Sequence, residues 1–214
     1  LKEKSNSLFQ IEDKLLKEGF SRIMGLDEVG RGCLAGPVVA AGVILDPYDI
    51  PTGITDSKKL SESERRRLAL EIKKRASYWT IKECDIKEIE TLNILWASLK
   101  AMQKCEFMEN AQPDYLLIDG NRYVPSLTPH SCLVKGDSRS ASIAAASIIA
   151  KVYRDDLMLQ LSKEYPEFKW ESNVGYATKD HYRALQDFGM TPHHRTGFNL
   201  KTEKIYQAKA PISL

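Results

Sequence analysis

Four carboxylates stand where secondary structure is expected to begin or end. Asp27 and Glu28 sit together at the end of a short apolar run, within GLDEVGRGCLAGPVVAAGVIL, residues 25–45. Asp119 repeats that position, directly after the apolar run at 115–118, and Asp137 precedes a long stretch rich in small residues. Ligands of α/β sheets gather at strand ends, and a carboxylate just before a helix is favoured by the partial positive charge there. Each acid also has an ordinary reading. Asp119-Gly120 is most often a turn, and Asp137 alone reads first as a helix N-cap. Gathered in one place, the four would repel. A pair at about 4 Å costs about 4 kcal/mol at an effective dielectric of about 20. Hard divalent cations that prefer oxygen, Mg²⁺ or Mn²⁺, relieve this repulsion. Consecutive strand residues point to opposite faces. Asp27 and Glu28 are therefore expected to share an ion only where the backbone is irregular, which Gly30 and Gly32 would make cheap.

Gly30, Gly32 and Ala35 match the dinucleotide pattern G-x-G-x-x-G/A. That pattern needs a helix to follow, whereas Pro37 and the β-branched run after it read as strand, and the acids precede the glycines. Two readings of the turn stay level on the residues alone. Its amides and Arg31 meet a sugar or phosphate, or it is a tight connection with a solvated arginine. Lys58 and Lys59 in a polar loop, Lys135 and Arg139 around Asp137, and His193, His194 and Arg195 after Pro192 are candidate phosphate contacts. Most lysines are merely solvated, so their placement beside the acids is what recommends them. Tyr176 has the chemistry to stack on a base or sugar, although a core or surface tyrosine is the commoner outcome. Trp79, Trp96 and Trp170 read as core or half-buried anchors, and Lys151 with Asp155 as a weak i, i+4 surface pair.

The elements that must position these groups follow from pattern. Leu8, Ile11, Leu15 and Leu16 predict a helix over 7–18, closed by Gly19. Residues 22–27 and 38–45 read as hairpin strands. Ser61 and Glu64 form a capping box that opens a helix running to about residue 76. A strand is expected at 78–83, and a helix at 91–108 with Leu92, Leu95, Leu99 and Met102 on one face. Strands at 115–118 and 131–134 follow. A helix at 138–162 carries so many alanines that close backbone approach is expected, and another spans 178–188, ended by Gly189. Hairpin strands followed by strands alternating with helices predict a mixed α/β sheet flanked by helices.

The chain has 214 residues, 43% of them hydrophobic and 28% charged, which favours one domain with an ordinary globular core. The core is expected over about 20–165 and a small helical part over about 166–214. A net charge of +2 excludes a bulk electrostatic field, so any nucleic-acid surface must be local. Cys33, Cys84, Cys105 and Cys132 form no Cys-x-x-Cys pair, which argues against a zinc site or disulfide framework. Free thiols, no apolar run able to span a bilayer and a polar start unlike a signal peptide make the expected location cytoplasmic.

The runs GLDEVGRGCLAGPVVAAGVIL, TDSKKLS, LLIDGN, VKGDSRSASIAAASIIAKVYRD, GYATKDH and TPHHR resemble bacterial ribonuclease HII, the type 2 ribonuclease H, from about Gly19 to Phe198. The resemblance implies a ribonuclease H-like fold with a small helical C-terminal part. It implies endonucleolytic hydrolysis of the RNA strand of RNA–DNA hybrids, and nicking of duplex DNA on the 5′ side of an embedded ribonucleotide. In the family pattern Asp27, Glu28, Asp119 and Asp137 are the catalytic, metal-holding acids. The Gly30-Arg31-Gly32 turn and Tyr176 recognise the RNA–DNA junction. Two divalent ions, 3′-hydroxyl and 5′-phosphate products and a role in removing ribonucleotides from DNA are expected with it, in a monomer. A junction-resolving nuclease of the same fold and a non-catalytic binding module are the rival readings.

Overall fold

The computed structural model describes residues 7–197. One sheet holds five strands in the order β3-β2-β1-β4-β5. They are β1 Ile23–Val29, β2 Val38–Ile44, β3 Tyr78–Cys84, β4 Tyr115–Asp119 and β5 His130–Leu133. β2 runs antiparallel to β1 and β3, while β4 and β5 run parallel to β1. The helices are α1 Gln10–Lys17, α2 Glu62–Arg75, α3 Ile86–Glu106, α4 Ala141–Glu164, α5 Trp170–Asn173 and α6 Lys179–Phe188. The predicted mixed sheet with flanking helices is what forms.

Period-two alternation divides the core. Met24, Leu26, Val38 and Ala40 face α3, packing with Leu99, Met102 and Cys105. Val39, Ala41 and Val43 face α2 and α4, packing with Leu68, Ile72 and the alanines of α4. Those alanines let α4 lie close on the sheet, as expected: a Cβ on Gly25 would stand 2.1 Å from the Ser142 carbonyl carbon. At that spacing no side chain fits between strand and helix.

Two helix starts and one helix interior differ from expectation, each for a local reason. The third helix begins at Ile86 because Asp85 and Glu88 form a second reciprocal capping box. It breaks at Asn93 (φ 62, ψ 165), whose Oδ1 accepts from Leu95 N–H at 3.0 Å and starts the helix afresh. The fourth helix begins at Ala141, because Ser140 caps it. Asp137 is therefore not the N-cap but part of a short 3-10 turn, Gly136–Ser138. Of the tryptophans, Trp170 is buried, whereas Trp96 is half exposed.

The C-terminal helices pack Phe168, Trp170 and Leu185 against Met158 of α4 and against Leu34 and Ala35 in the β1–β2 connection. This brings Tyr176 and residues 191–195 beside the glycine-rich turn: Cys33 bridges Tyr176, and Ala35 bridges His194.

Candidate active site

The last pair between β1 and β4 is Leu26 with Ile118. Asp27 and Asp119 each stand one step beyond it, on neighbouring parallel strands. They share the α4 side because their predecessors Leu26 and Ile118 share the α3 core. Glu28 points to the α3 side. One carboxylate oxygen from each of Asp27, Glu28 and Asp119 nevertheless lies within 4.8 Å of the others. The expected backbone irregularity is absent here. The ladder to β2 runs unbroken through Asp27–Ala41, Glu28–Ala40 and Val29–Val39, and positive φ begins only at Gly30 (φ 97). The convergence comes from the sheet edge instead. Beyond Ile118 β1 has no β4 residue paired beside it, and Glu28 there borders cavities on both faces of the sheet.

Each acid has its own surroundings. Asp27 is buried, and its carboxyl is pushed well above the usual range by burial and then by Glu28 and Asp119. Glu28 N–H donates to it at 2.7 Å and, with the neighbouring Ser147 hydroxyl of α4, opposes that rise. Glu28 is raised by burial against the pull of Arg31, whose Nη1 lies 3.2 Å from Oε1. Asp119 is raised by burial, while Gly136 N–H donates to its Oδ1 at 2.6 Å. Asp137 stands apart from this trio, and its Oδ2 lies 3.5 Å from Lys58 Nζ. Burial lowers the Lys58 pKa, but Asp137, Asp56 and Asp27 together leave it raised. Three crowded carboxylates that resist ionisation, with oxygen donors only, suit a hard divalent cation.

A cavity of about 490 Å³ opens over these groups, walled by Gly30, Arg31, Gly32, Lys58, Lys151 and Tyr176. A second, of about 210 Å³, lies on the α3 side of Glu28 and Asp119, next to Leu95, Met102 and Arg122. The carboxylates thus form a ridge open on both sides.

The family model for ribonuclease HII matches residues 24–201. The chain belongs to the ribonuclease HII family. It is a ribonuclease H, a divalent-metal-dependent nuclease for RNA–DNA hybrids. It is 50% identical over 200 residues to the ribonuclease HII of Ruegeria pomeroyi, covering 93% of this chain and 85% of the relative. The ribonuclease HII of Archaeoglobus fulgidus, solved in a complex with PCNA, superposes with a TM-score of 0.71 at 25% identity, over 86% of this chain and 98% of that one. Bst-RNase HIII, solved in complex with Mn²⁺, shares the fold at a TM-score of 0.58 and 23% identity, over 82% and 66% of the two chains.

Against this ribonuclease HII fold, the sequence-predicted contacts separate. Arg31, Lys58 and Tyr176 wall the cavity together with Gly30 and Gly32. Lys59, Lys135 and Arg139 are exposed nearby but do not line it. Arg195 requires correction. It is fully buried, and its guanidinium donates to Gly36 O and Arg31 O, so no phosphate reaches it. His194 is likewise buried, bonded to His181 at 2.9 Å. Sequence reasoning missed Ser57, Arg65 and Ser147, and took Lys151 for a surface group, although all four line the cavity. The signal was available: Ser147 and Lys151 are spaced i, i+4 on one face of α4. Among the described residues no helix is long and apolar enough to cross a membrane.

Proposed function

We propose that this ribonuclease HII, besides cutting hybrids, nicks duplex DNA on the 5′ side of a single embedded ribonucleotide. It leaves 3′-hydroxyl and 5′-phosphate ends and serves ribonucleotide removal from DNA. The observation that carries this reading is the meeting of Asp27, Glu28 and Asp119 within 4.8 Å, beside a turn of glycines and a tyrosine. Asp27, Glu28 and Asp119, with Asp137 at the margin, would hold two divalent ions, Mg²⁺ or Mn²⁺, which supply the positive charge that activates a water and eases the departure of the 3′ oxygen.

The chain's own residues position. Ser147 and Gly136 N–H hold the Asp27 and Asp119 carboxylates in place. Arg31, Lys58 and Lys151 meet phosphate charge along the cavity wall. Amides of the Gly30–Gly32 turn, of which Arg31 and Gly32 are exposed, read the ribose 2′-hydroxyl, the group that separates RNA from DNA. Tyr176, 41% exposed at the same wall, packs on the adjoining deoxyribose. With no covalent nucleophile in this scheme, rate enhancement rests on orientation and preorganised charge.

The deciding experiment incubates the protein with a duplex carrying one ribonucleotide, in Mg²⁺, in Mn²⁺ and in chelator, and maps the cut. A single nick 5′ of the ribonucleotide, absent in chelator, is expected. Cleavage of a four-way junction in preference to that duplex would favour a junction-resolving enzyme instead.

A further inference from the structure

Arg195 lies beneath the glycine-rich turn. Cys33 N–H donates to Gly30 O at 3.3 Å, which makes residues 30–33 a β-turn with Arg31 and Gly32 at its centre. The central peptide of such a turn takes no part in the closing bond. A glycine in third place lets that peptide flip between the two common turn types. Here Gly32 stays out of the left-handed region, and Arg195 Nη1 donates to Arg31 O at 3.2 Å. The same guanidinium holds Gly36 O through Nε at 2.9 Å and Nη2 at 2.7 Å. One rigid fork therefore spans both ends of the loop. Arg154 of α4 adds bonds to Ala35 O, Pro37 O and Val174 O at 2.9, 3.1 and 2.8 Å.

A trans peptide points its C=O and N–H in opposite directions. With Arg31 O turned inward to Arg195, Gly32 N–H turns outward. Gly32 is exposed and lines the cavity. Among the described residues its N–H finds no backbone acceptor, whereas Leu34 N–H and Gly36 N–H donate to Gly175 O and His193 O. Burying two neighbouring guanidiniums opposes folding, and apolar side chains would fill the space at lower cost. What the arginines add is the direction of the loop carbonyls.

We propose that Arg195 is a positioning residue for sugar selectivity: it fixes the Arg31–Gly32 peptide so that Gly32 N–H faces the cavity as a donor to the ribose hydroxyl. The inference rests on the reading that this turn meets the ribose, and it names the amide and the side chain that holds it.

Arg195→Lys tests it, keeping the charge while losing the fork. Amide exchange is read by NMR. Binding of a labelled duplex with one ribonucleotide, and of its all-DNA counterpart, is read by fluorescence anisotropy in chelator. Exchange at Leu34 and Gly36 should rise about tenfold while the sheet amides hold. Preference for the ribonucleotide duplex should fall about tenfold with all-DNA binding unchanged, the scale of one hydrogen bond. Unchanged exchange, intact preference, or equal weakening of both duplexes overturns the proposal. Should the variant not fold, the parent decides. Its Gly32 amide resonance should shift on adding the ribonucleotide duplex and not the all-DNA duplex, and equal shifts overturn the proposal. Lack of any preference in the parent is a separate result, which overturns the ribonucleotide reading itself.

Discussion

The hydroxyls of Ser57 and Ser147 lie 3.0 Å apart in the interior, and Ser147 in turn supports the Asp27 carboxylate. Loop, helix and strand are thus joined behind one acid of the site. Ser147→Ala should leave the fold intact and remove a donor that favours ionised Asp27. Loss of such an outer partner costs about 10- to 100-fold in metal affinity or activity. Calorimetric titration with Mn²⁺, run beside hybrid cleavage, checks this, and an unchanged Mn²⁺ affinity would leave Ser147 with a packing role only.

Asp119→Asn should separate stability from function. Burial raises the carboxyls of Asp27, Glu28 and Asp119, and neighbouring acids add to it. A raised carboxylate binds protons more readily folded than unfolded, so stability without metal falls as pH rises through the carboxylate range. Removing one charge should therefore raise Tm at neutral pH in chelator. The same change should abolish the Tm gain on adding Mn²⁺ and cut hybrid cleavage at least about 100-fold. Thermal melts with and without Mn²⁺ read both effects, and a variant that keeps its Mn²⁺-dependent Tm gain would remove Asp119 from the metal set.

Asp27 and Asp119 were legible because an acid after an apolar strand is a local pattern, and parallel neighbours bring equal steps together. The capping box at Ser61 and Glu64 was legible for the same reason, and both halves form. Asp85 and Glu88 carry the equivalent signal, yet the apolar run further on drew the helix start too late. Asn93 was not legible, since its positive φ is imposed by the join of two helical segments. Nor was the burial of Arg195 and His194. A His-His-Arg run after a proline reads as polar loop, and only docking of α5 and α6 on the β1–β2 connection makes it interior. Glu28 joins the trio where the β1–β4 pairing ends, a tertiary feature that strand alternation does not contain.

Gly25→Ala should cost about 3 kcal/mol or more, because neither the strand nor the Ser142 backbone can yield to a contact of 2.1 Å. Among the described residues a methyl group added at Gly197 would meet nothing within 4 Å, so Gly197→Ala should stay within about 0.5 kcal/mol of the parent. Urea melts of the two variants measure the difference. Near-equal midpoints would mean that α4 does not lie on β1 as described.

Acid should loosen the C-terminal clamp through the two buried histidines. His181 Nδ1 faces Tyr176 O at 2.9 Å and so carries the proton, leaving Nε2 to accept from Trp170 Nε1 and from His194 Nε2. His194 Nδ1 then accepts from Thr191 N–H at 3.0 Å. Protonating His181 Nε2 would break the bonds it accepts from Trp170 and His194, and protonating His194 Nδ1 would break the one it accepts from Thr191 N–H. Burial, with His181 adding to it, lowers His194 to about 3, and burial lowers His181 too. The unfolded chain takes protons at about 6.5, so it binds more of them than the folded state at any pH between the two values. Stability is full above about pH 6.5 and is lost as pH falls from there towards the folded value. For His194 alone the loss between about pH 7 and about pH 5 is about 2 kcal/mol. Urea melts at both pH values, on the parent and on His194→Gln, isolate the contribution, since the variant should lack most of that slope. Because His194 bridges Ala35, preference for a ribonucleotide duplex should weaken over the same range in the parent. A parent and variant with equal slopes would place a charged imidazole in the folded interior, against the bonds that now hold it neutral.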